Sequence, residues 1–440
     1  MKQSLLFLST PIRRILLSSA IAAATVVPLV SPSFARPNRT MLEDSPKAIL
    51  DEAWQIVHRD YVDPGFNRTD WDETRTRLLS ADYSSKKEAY VALRKALEQL
   101  KDPYTRFMAP EQFESLKNQT AGELSGVGIR LERDEQTKSL RVVEPLPGSP
   151  AMKAGLQTSD RITAIDGKST EGMKVEDAAR LIRGEVGSKV VLRIDRPGRD
   201  QFDVTVTRAR IELPTVRYTL REEDNTRVGY IRLSEFSSHA AEQMEKAIKK
   251  LNEQEVDAFV LDLRGNPGGL LQSSIDISRM WLEKGLIVKT VDRKGASEEI
   301  AANRTSLTSL PLAVLVDGNS ASSSEILTGA LQDLDRATVI GTQTFGKALV
   351  QSVHSLSDGS GLAVTIAHYY TPKGTDISHK GITPDIEVSL SDSQKRRLAS
   401  DPKLVGTVND PQYAKALEIL QANILANPNV NQPAKQAVNH

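Results

Sequence analysis

The feature that most limits the fold of this 440-residue chain is an alternation that sets in after Arg208. Apolar, β-branched runs that read as strands are VGYIRLSEF, DAFVLDLRG, PLAVLVDG, RATVIG, ALVQSVHSL and GLAVTIAHYY. Stretches with helical spacing, AAEQMEKAIKKL, LLQSSIDISRMWL and SSEILTGALQDL, fall among them. Strand and helix in alternation predict an α/β domain of catalytic type over residues 209–395. The regions before it read differently. Residues 36–115 carry helix signals: Ser45 as an N-cap before Pro46, a capping box of Ser85 with Glu88, and Leu93, Leu97 and Leu100 on one face. A small helical domain is expected there. From 116 to 208, the short strands GVGIRL, LRVVEPL, DRITAIDG and KVVLRIDR are separated by Gly, Pro and Asp turns, with one helix around MKVEDAARLIRG. That pattern predicts a compact β-domain. Residues 396–440 hold a late helix starting at Pro411, with Tyr413, Leu417 and Leu420 on one face, and then a polar, proline-containing tail.

The first 35 residues look like an export signal. Lys2, Arg13 and Arg14 precede the apolar run ILLSSAIAAATVVPLV, and Ser33-Phe34-Ala35 supplies the small-x-small pattern before a cut. Pro28 and Pro32 leave fewer than the ~20 apolar residues of a membrane span, so no stable transmembrane anchor is expected. Lys plus Arg and Asp plus Glu both number 57, which gives no electrostatic case for a nucleic-acid partner. With no cysteine, an exported chain of this kind relies on its cores rather than on disulfides.

Two strand-to-helix junctions carry the chemistry. At the first, AFVLDL runs into Arg264-Gly265-Asn266-Pro267-Gly268-Gly269, where glycines allow close approach to main-chain N–H groups and suit an oxyanion. At the second, PLAVLVDG runs into Asn319-Ser320-Ala321-Ser322-Ser323-Ser324-Glu325. One serine at a helix start is a cap; four in five positions exceed that need, and an exposed hydroxyl there would sit at the positive end of a helix dipole. A base is then required. The six histidines include none in a G-x-S-x-G or H-E-x-x-H setting, so a Ser-His-Asp triad is open but unsupported, and no metal or cofactor is expected. The stretch GTQTFGKA, residues 341–348, imitates a phosphate-binding loop, but Ala348 lacks the terminal hydroxyl and a strand pattern follows instead of a helix. Nucleotide binding is not expected. Lys347 instead reads as a lysine held by apolar neighbours, Phe345 and Leu349, whose desolvation lowers its pKa. In a regular strand Gln351 points the same way and fixes the amine, so a Ser-Lys dyad is predicted.

The segments NSASSSEI (319–326), TFGKALVQ (344–351) and DLRGNPGG (262–269) together resemble the carboxyl-terminal processing proteases, serine peptidases with a Ser-Lys dyad. DEAWQIVHRDYVD, KDPYTRFM and VGYIRLSEF look like the cyanobacterial and chloroplast branch, which trims the precursor of the photosystem II reaction-centre protein in the thylakoid lumen. The resemblance implies a helical N-terminal domain, an inserted PDZ domain and an α/β serine-peptidase core. By position it makes Ser322 the nucleophile, Lys347 the base and Gln351 its partner. The N–H groups of Gly268 and Ser323 form the oxyanion hole, and Asp333 stands where a relay residue is sometimes assigned. Ser323 departs from the alanine that family members often have there. Ser125-Gly126-Val127-Gly128-Ile129 looks like a PDZ carboxylate-binding loop, in which the peptide partner adds a strand. The implied function is an exported endopeptidase, in the thylakoid lumen or periplasm, that recognises a free C-terminus of a protein substrate and removes a C-terminal extension. The alternative is a non-catalytic PDZ-type peptide-binding adaptor.

Overall fold

A computed structural model describes residues 45–134 and 137–426. The expected export signal and the end of the tail lie outside the described residues. The α/β core is a six-stranded sheet in the order Val216–Glu223, Thr226–Leu233, Ala258–Asp262, Leu312–Val316, Thr338–Gly341 and Ile386–Glu387. The first two strands are antiparallel and every later pair is parallel. Strand periodicity divides the apolar residues between two layers. Phe259, Leu261 and Val314 face helices Ala240–Glu253, Leu271–Trp281 and Ser323–Asp333. Val260, Ala313 and Leu315 face helix Pro411–Ala426 through Tyr413, Ala416, Leu417 and Leu420. The late helix is therefore a layer of the core, and the core does not end at residue 395.

Leu349–Ser355 and Gly361–Tyr370, read from sequence as part of the alternation, leave this sheet. They form a second, antiparallel one with Arg106–Met108, Leu286–Asp292 and Ser297–Ala301. Period-two patterning identifies a strand but not its sheet. Arg106–Met108 pairs directly with Gly361–Ala363, and this pairing carries the N-terminal region to the site.

The N-terminal helices Pro46–Asp60, Trp71–Ser80 and Lys86–Glu98 do not make a separate bundle. Leu93, Leu97 and Leu100 share a core with Phe107, Leu362 and Val364 of the second sheet and with Leu356 in the turn between two of its strands. Ser45 and Ser85 cap their helices as expected, but the Glu88 carboxylate takes the N–H and hydroxyl of Ser84 at 2.8 and 2.7 Å rather than closing a box on Ser85. Helix Pro110–Ala121 runs through the expected boundary at residue 115 and stops at Gly122, whose φ of 69° makes a left-handed C-cap. Beyond it, Glu123–Gly126 pairs with Ala209–Glu212 as a two-stranded stem. The stem carries the β-domain, an antiparallel sheet of Ile129–Arg133, Leu140–Pro145, Arg161–Ile165, Lys189–Asp195 and Phe202–Thr207, with Lys168–Ser169 at one side. Val142, Ile162, Leu192 and Ile194 form its own core with helix Val175–Ile182.

Candidate active site

Strand Ala258–Asp262 ends at a buried charge cluster. Arg264 donates to both carboxylate oxygens of Asp262 at 2.9 and 2.6 Å and to both of Asp410 at 3.0 and 2.8 Å. Burial by itself would raise the Asp262 carboxyl, but the Arg264 charge and hydrogen bonds offset it and the net direction is down. This cluster fixes the root of the glycine turn to the C-terminal helix. At the tip, the Asn266 amide donates to the Leu233 carbonyl at 2.9 Å, and its oxygen accepts the Gly268 N–H, also at 2.9 Å. Gly268 has φ 101°, and a Cβ there would stand 2.7 Å from the Ala321 carbonyl and 2.9 Å from the Ser322 Cβ. Only glycine lets the two junctions approach this closely.

Three of the four junction serines fasten them together. Ser320 donates to the Leu263 carbonyl at 2.9 Å, Ser323 to that of Gly269 at 3.0 Å and Ser324 to that of Asn266 at 3.0 Å. The Ser322 side chain makes no cap hydrogen bond, and its φ of 54° with ψ of −114° lies where a non-glycine residue is strained. Such strain costs on the order of 1–3 kcal/mol and persists only where surrounding structure imposes it. Ser322 is thus the hydroxyl left over by the fastening.

Glu325 imposes that geometry. Its fully buried carboxylate accepts the N–H groups of Ser322 at 2.8 Å and Lys347 at 3.0 Å on one oxygen. The other oxygen accepts the Gly346 N–H at 2.7 Å and the Thr344 hydroxyl at 2.5 Å. The Tyr369 hydroxyl bridges the same two segments, reaching the carbonyls of Ser322 and Lys347. One carboxylate and one phenol therefore set the serine loop against the lysine strand.

The Lys347 ammonium lies 4.8 Å from the centre of the Tyr104 ring. Burial pushes its pKa below the ordinary 10.5 and the nearby Arg106 adds to this, while Asp102 and Glu325 pull the other way. Phe345, expected as a wall of this pocket, is 55 % exposed; the aromatic wall is Tyr104, brought in by the N-terminal region. Ser322, Ser323, Gly268, Lys347 and Gln351 all line one cleft of about 420 Å³, together with Tyr104, Arg106 and Leu349. No histidine lines it among the described residues.

Two sequence expectations are corrected here. Asp333 is at the far end of the eleven-residue helix that starts at Ser323, roughly 15 Å along its axis. Its carboxylate accepts the Lys373 N–H at 2.8 Å and does not line the cleft, so it is no relay. Gln351 does line the cleft, but a bulge between Val350 and Gln351 breaks the simple alternation, and its buried Nε2 has no partner among the described residues. It is not bonded to Lys347. In the β-domain, Gly126 ends the stem and Val127 is buried, its carbonyl accepting the Ala151 N–H at 2.8 Å. Gly128 has φ 77° against Ser149, and Ile129 opens an edge strand of the sheet.

Residues 227–388 match the family described as peptidase family S41, and residues 141–196 match the PDZ domain. A carboxyl-terminal-processing protease of Picosynechococcus sp. is 44 % identical over 84 % of this chain and 88 % of its own length. The chain belongs to peptidase family S41. Within S41, the chloroplastic carboxyl-terminal-processing peptidase 2 of Arabidopsis thaliana is 39 % identical over 88 % of this chain and 76 % of its own. A solved photosystem II D1 C-terminal processing protease is 36 % identical, covers 78 % of this chain and 93 % of its own, and superposes with a TM-score of 0.52. The fold class read from the sequence, an inserted PDZ domain on an α/β peptidase core, is the S41 arrangement. Residue-level reading left Glu325, Tyr104 and Tyr369 without roles. Glu325 follows the serines of the segment NSASSSEI and sits at the third helical position, the one signal that could have singled it out.

Proposed function

We propose that this S41 member is an exported serine endopeptidase that recognises a free C-terminus and removes a C-terminal extension through a Ser322-Lys347 dyad. The observation that carries the reading is the leftover hydroxyl: three neighbouring serines are fastened to main-chain carbonyls, while Ser322 shares a cleft with a half-buried lysine whose pKa is depressed. A neutral Lys347 amine takes the Ser322 proton as the oxygen attacks the scissile carbonyl, then returns it to the leaving amine. The Ser323 N–H, at a helix start with no intrahelical acceptor, and the Gly268 N–H, exchanging Asn266 for the ligand, stabilise the oxyanion. Water then resolves the acyl-enzyme.

Recognition of the C-terminus falls to Gly126–Ile129, with the substrate strand added at the edge beside Ile129–Arg133. The names of the relatives, a photosystem II D1 C-terminal processing protease among them, support the reaction-centre protein precursor as substrate and the thylakoid lumen or periplasm as compartment. Among the described residues no helix is long and apolar enough to cross a membrane.

Product analysis tests the proposal. Residues 36–440 and the Ser322→Ala variant are incubated with the C-terminal peptide of that precursor, and products are identified by mass spectrometry. The expected result is one upstream cut by the parent and none by the folded variant. Cutting by both displaces the nucleophile, and binding without cutting by the parent makes the chain an adaptor.

A further inference from the structure

A cavity of about 440 Å³, sharing no lining residue with the peptidase cleft, lies at the outer edge of the six-stranded sheet. Its floor is the antiparallel pair Val216–Glu223 and Thr226–Leu233, and residues Pro402 and Val405 close one side. Arg217 and Arg232 both line it and are directly opposite each other in the strand register. Directly paired residues project from the same face with Cβ atoms about 4.5–5.5 Å apart, and like charges so placed repel.

Neither guanidinium makes an ion pair or hydrogen bond among the described residues. Arg232 is drawn through space to Asp262, one of two buried carboxylates that share the single Arg264 guanidinium, so it is Arg217 that has no nearby opposite charge among the described residues. Tyr230, two residues before Arg232 and therefore on the same face, also lines the cavity.

We infer that this cavity binds an oxyanion that bridges Arg217 and Arg232. Two guanidiniums converging on one small cavity suit a phosphate monoester or a carboxylate, because each oxygen can accept from a planar fork of N–H groups. A dianion offsets both charges, so the phosphate form binds more tightly. The site also adjoins the peptidase machinery. Leu233, the next residue after Arg232, gives its carbonyl to Asn266, which holds the Gly268 N–H.

Isothermal titration of residues 36–440 with phenyl phosphate, and in a separate arm with benzoate, tests the inference at ionic strength fixed with chloride. The readout is independent of catalysis. Saturable binding is expected in the phosphate arm, about tenfold weaker in Arg217→Gln, where one charge-assisted contact is lost. Saturation by benzoate alone, with the same dependence on Arg217, assigns the site to carboxylates. Absence of saturable binding in both arms, or binding unchanged in Arg217→Gln, overturns the proposal. Arg217 is exposed, so this variant is expected to fold, and thermal melting verifies that it does; Arg232→Gln gives a second reading on the same titration.

Discussion

The two strand-to-helix junctions each bury a carboxylate, and they treat it in opposite ways. At the first, Asp262 and Asp410 flank Arg264, so charge meets charge in a closed cluster. At the second, Glu325 is met by three main-chain N–H groups and one hydroxyl, all neutral, while the Lys347 ammonium makes no ion pair with it. The closed cluster acts as scaffold, holding the glycine turn to the C-terminal helix. The open one leaves a cation in a poorly solvated cleft, where its proton can be lost. Difference in compensation, rather than in burial, separates the structural junction from the reactive one.

Removing the lysine breaks the comparison most severely. Lys347→Ala lowers kcat by about 10⁴-fold or more on a C-terminal peptide, and Lys347→Arg does the same, because a guanidinium cannot act as a base. Retained activity in the arginine variant would show that charge alone suffices. On the scaffold side, Arg264→Ala leaves two buried carboxylates unmatched and costs about 3–5 kcal/mol in urea unfolding, whereas Lys347→Ala leaves stability nearly unchanged. A reversed order of the two stabilities would invert the assignment of roles.

Smaller changes sharpen the open junction. The proposed mechanism needs neutral lysine, so the rate is expected to rise with pH through a pKa below 10.5. Arg106→Gln removes a charge that pushes that pKa down, and the rising limb moves to higher pH. Glu325→Gln removes a charge that pulls it up, and the limb moves to lower pH, with about 1–3 kcal/mol of stability lost as an amide N–H₂ faces main-chain donors. Shifts in the same direction would mean that the limb reports another group. The least effect belongs to Asp333→Asn, which changes kcat by no more than about twofold, since the side chain secures only the Lys373 turn.

Much of the fold was legible because periods of 2 and 3.6 residues survive in the sequence. The alternation yielded the α/β core, and Pro411, Tyr413 and Leu417 marked a helix that proved to cover the second face of its sheet. Sheet membership was not legible for Leu349–Ser355 and Gly361–Tyr370, because patterning fixes which side a residue faces and not which strand it pairs with. In the site, a desolvated Lys347 could be read from local apolarity, but its aromatic neighbour could not: Phe345 adjoins it in sequence, while Tyr104 adjoins it in space. Residue patterning could not choose among the four serines either. The bonds that occupy three of them span 54 to 58 residues, and no local motif encodes such partners.

The central claim is that Ser322 alone among these serines is free and activated by Lys347. Covalent labelling with a fluorophosphonate, followed by peptide mapping across pH, tests it most directly. The account predicts label on Ser322 and none on Ser320, Ser323 or Ser324, at a rate that climbs with pH below 10.5 and collapses in Lys347→Ala. Label on Ser323, or a rate indifferent to Lys347, would contradict it.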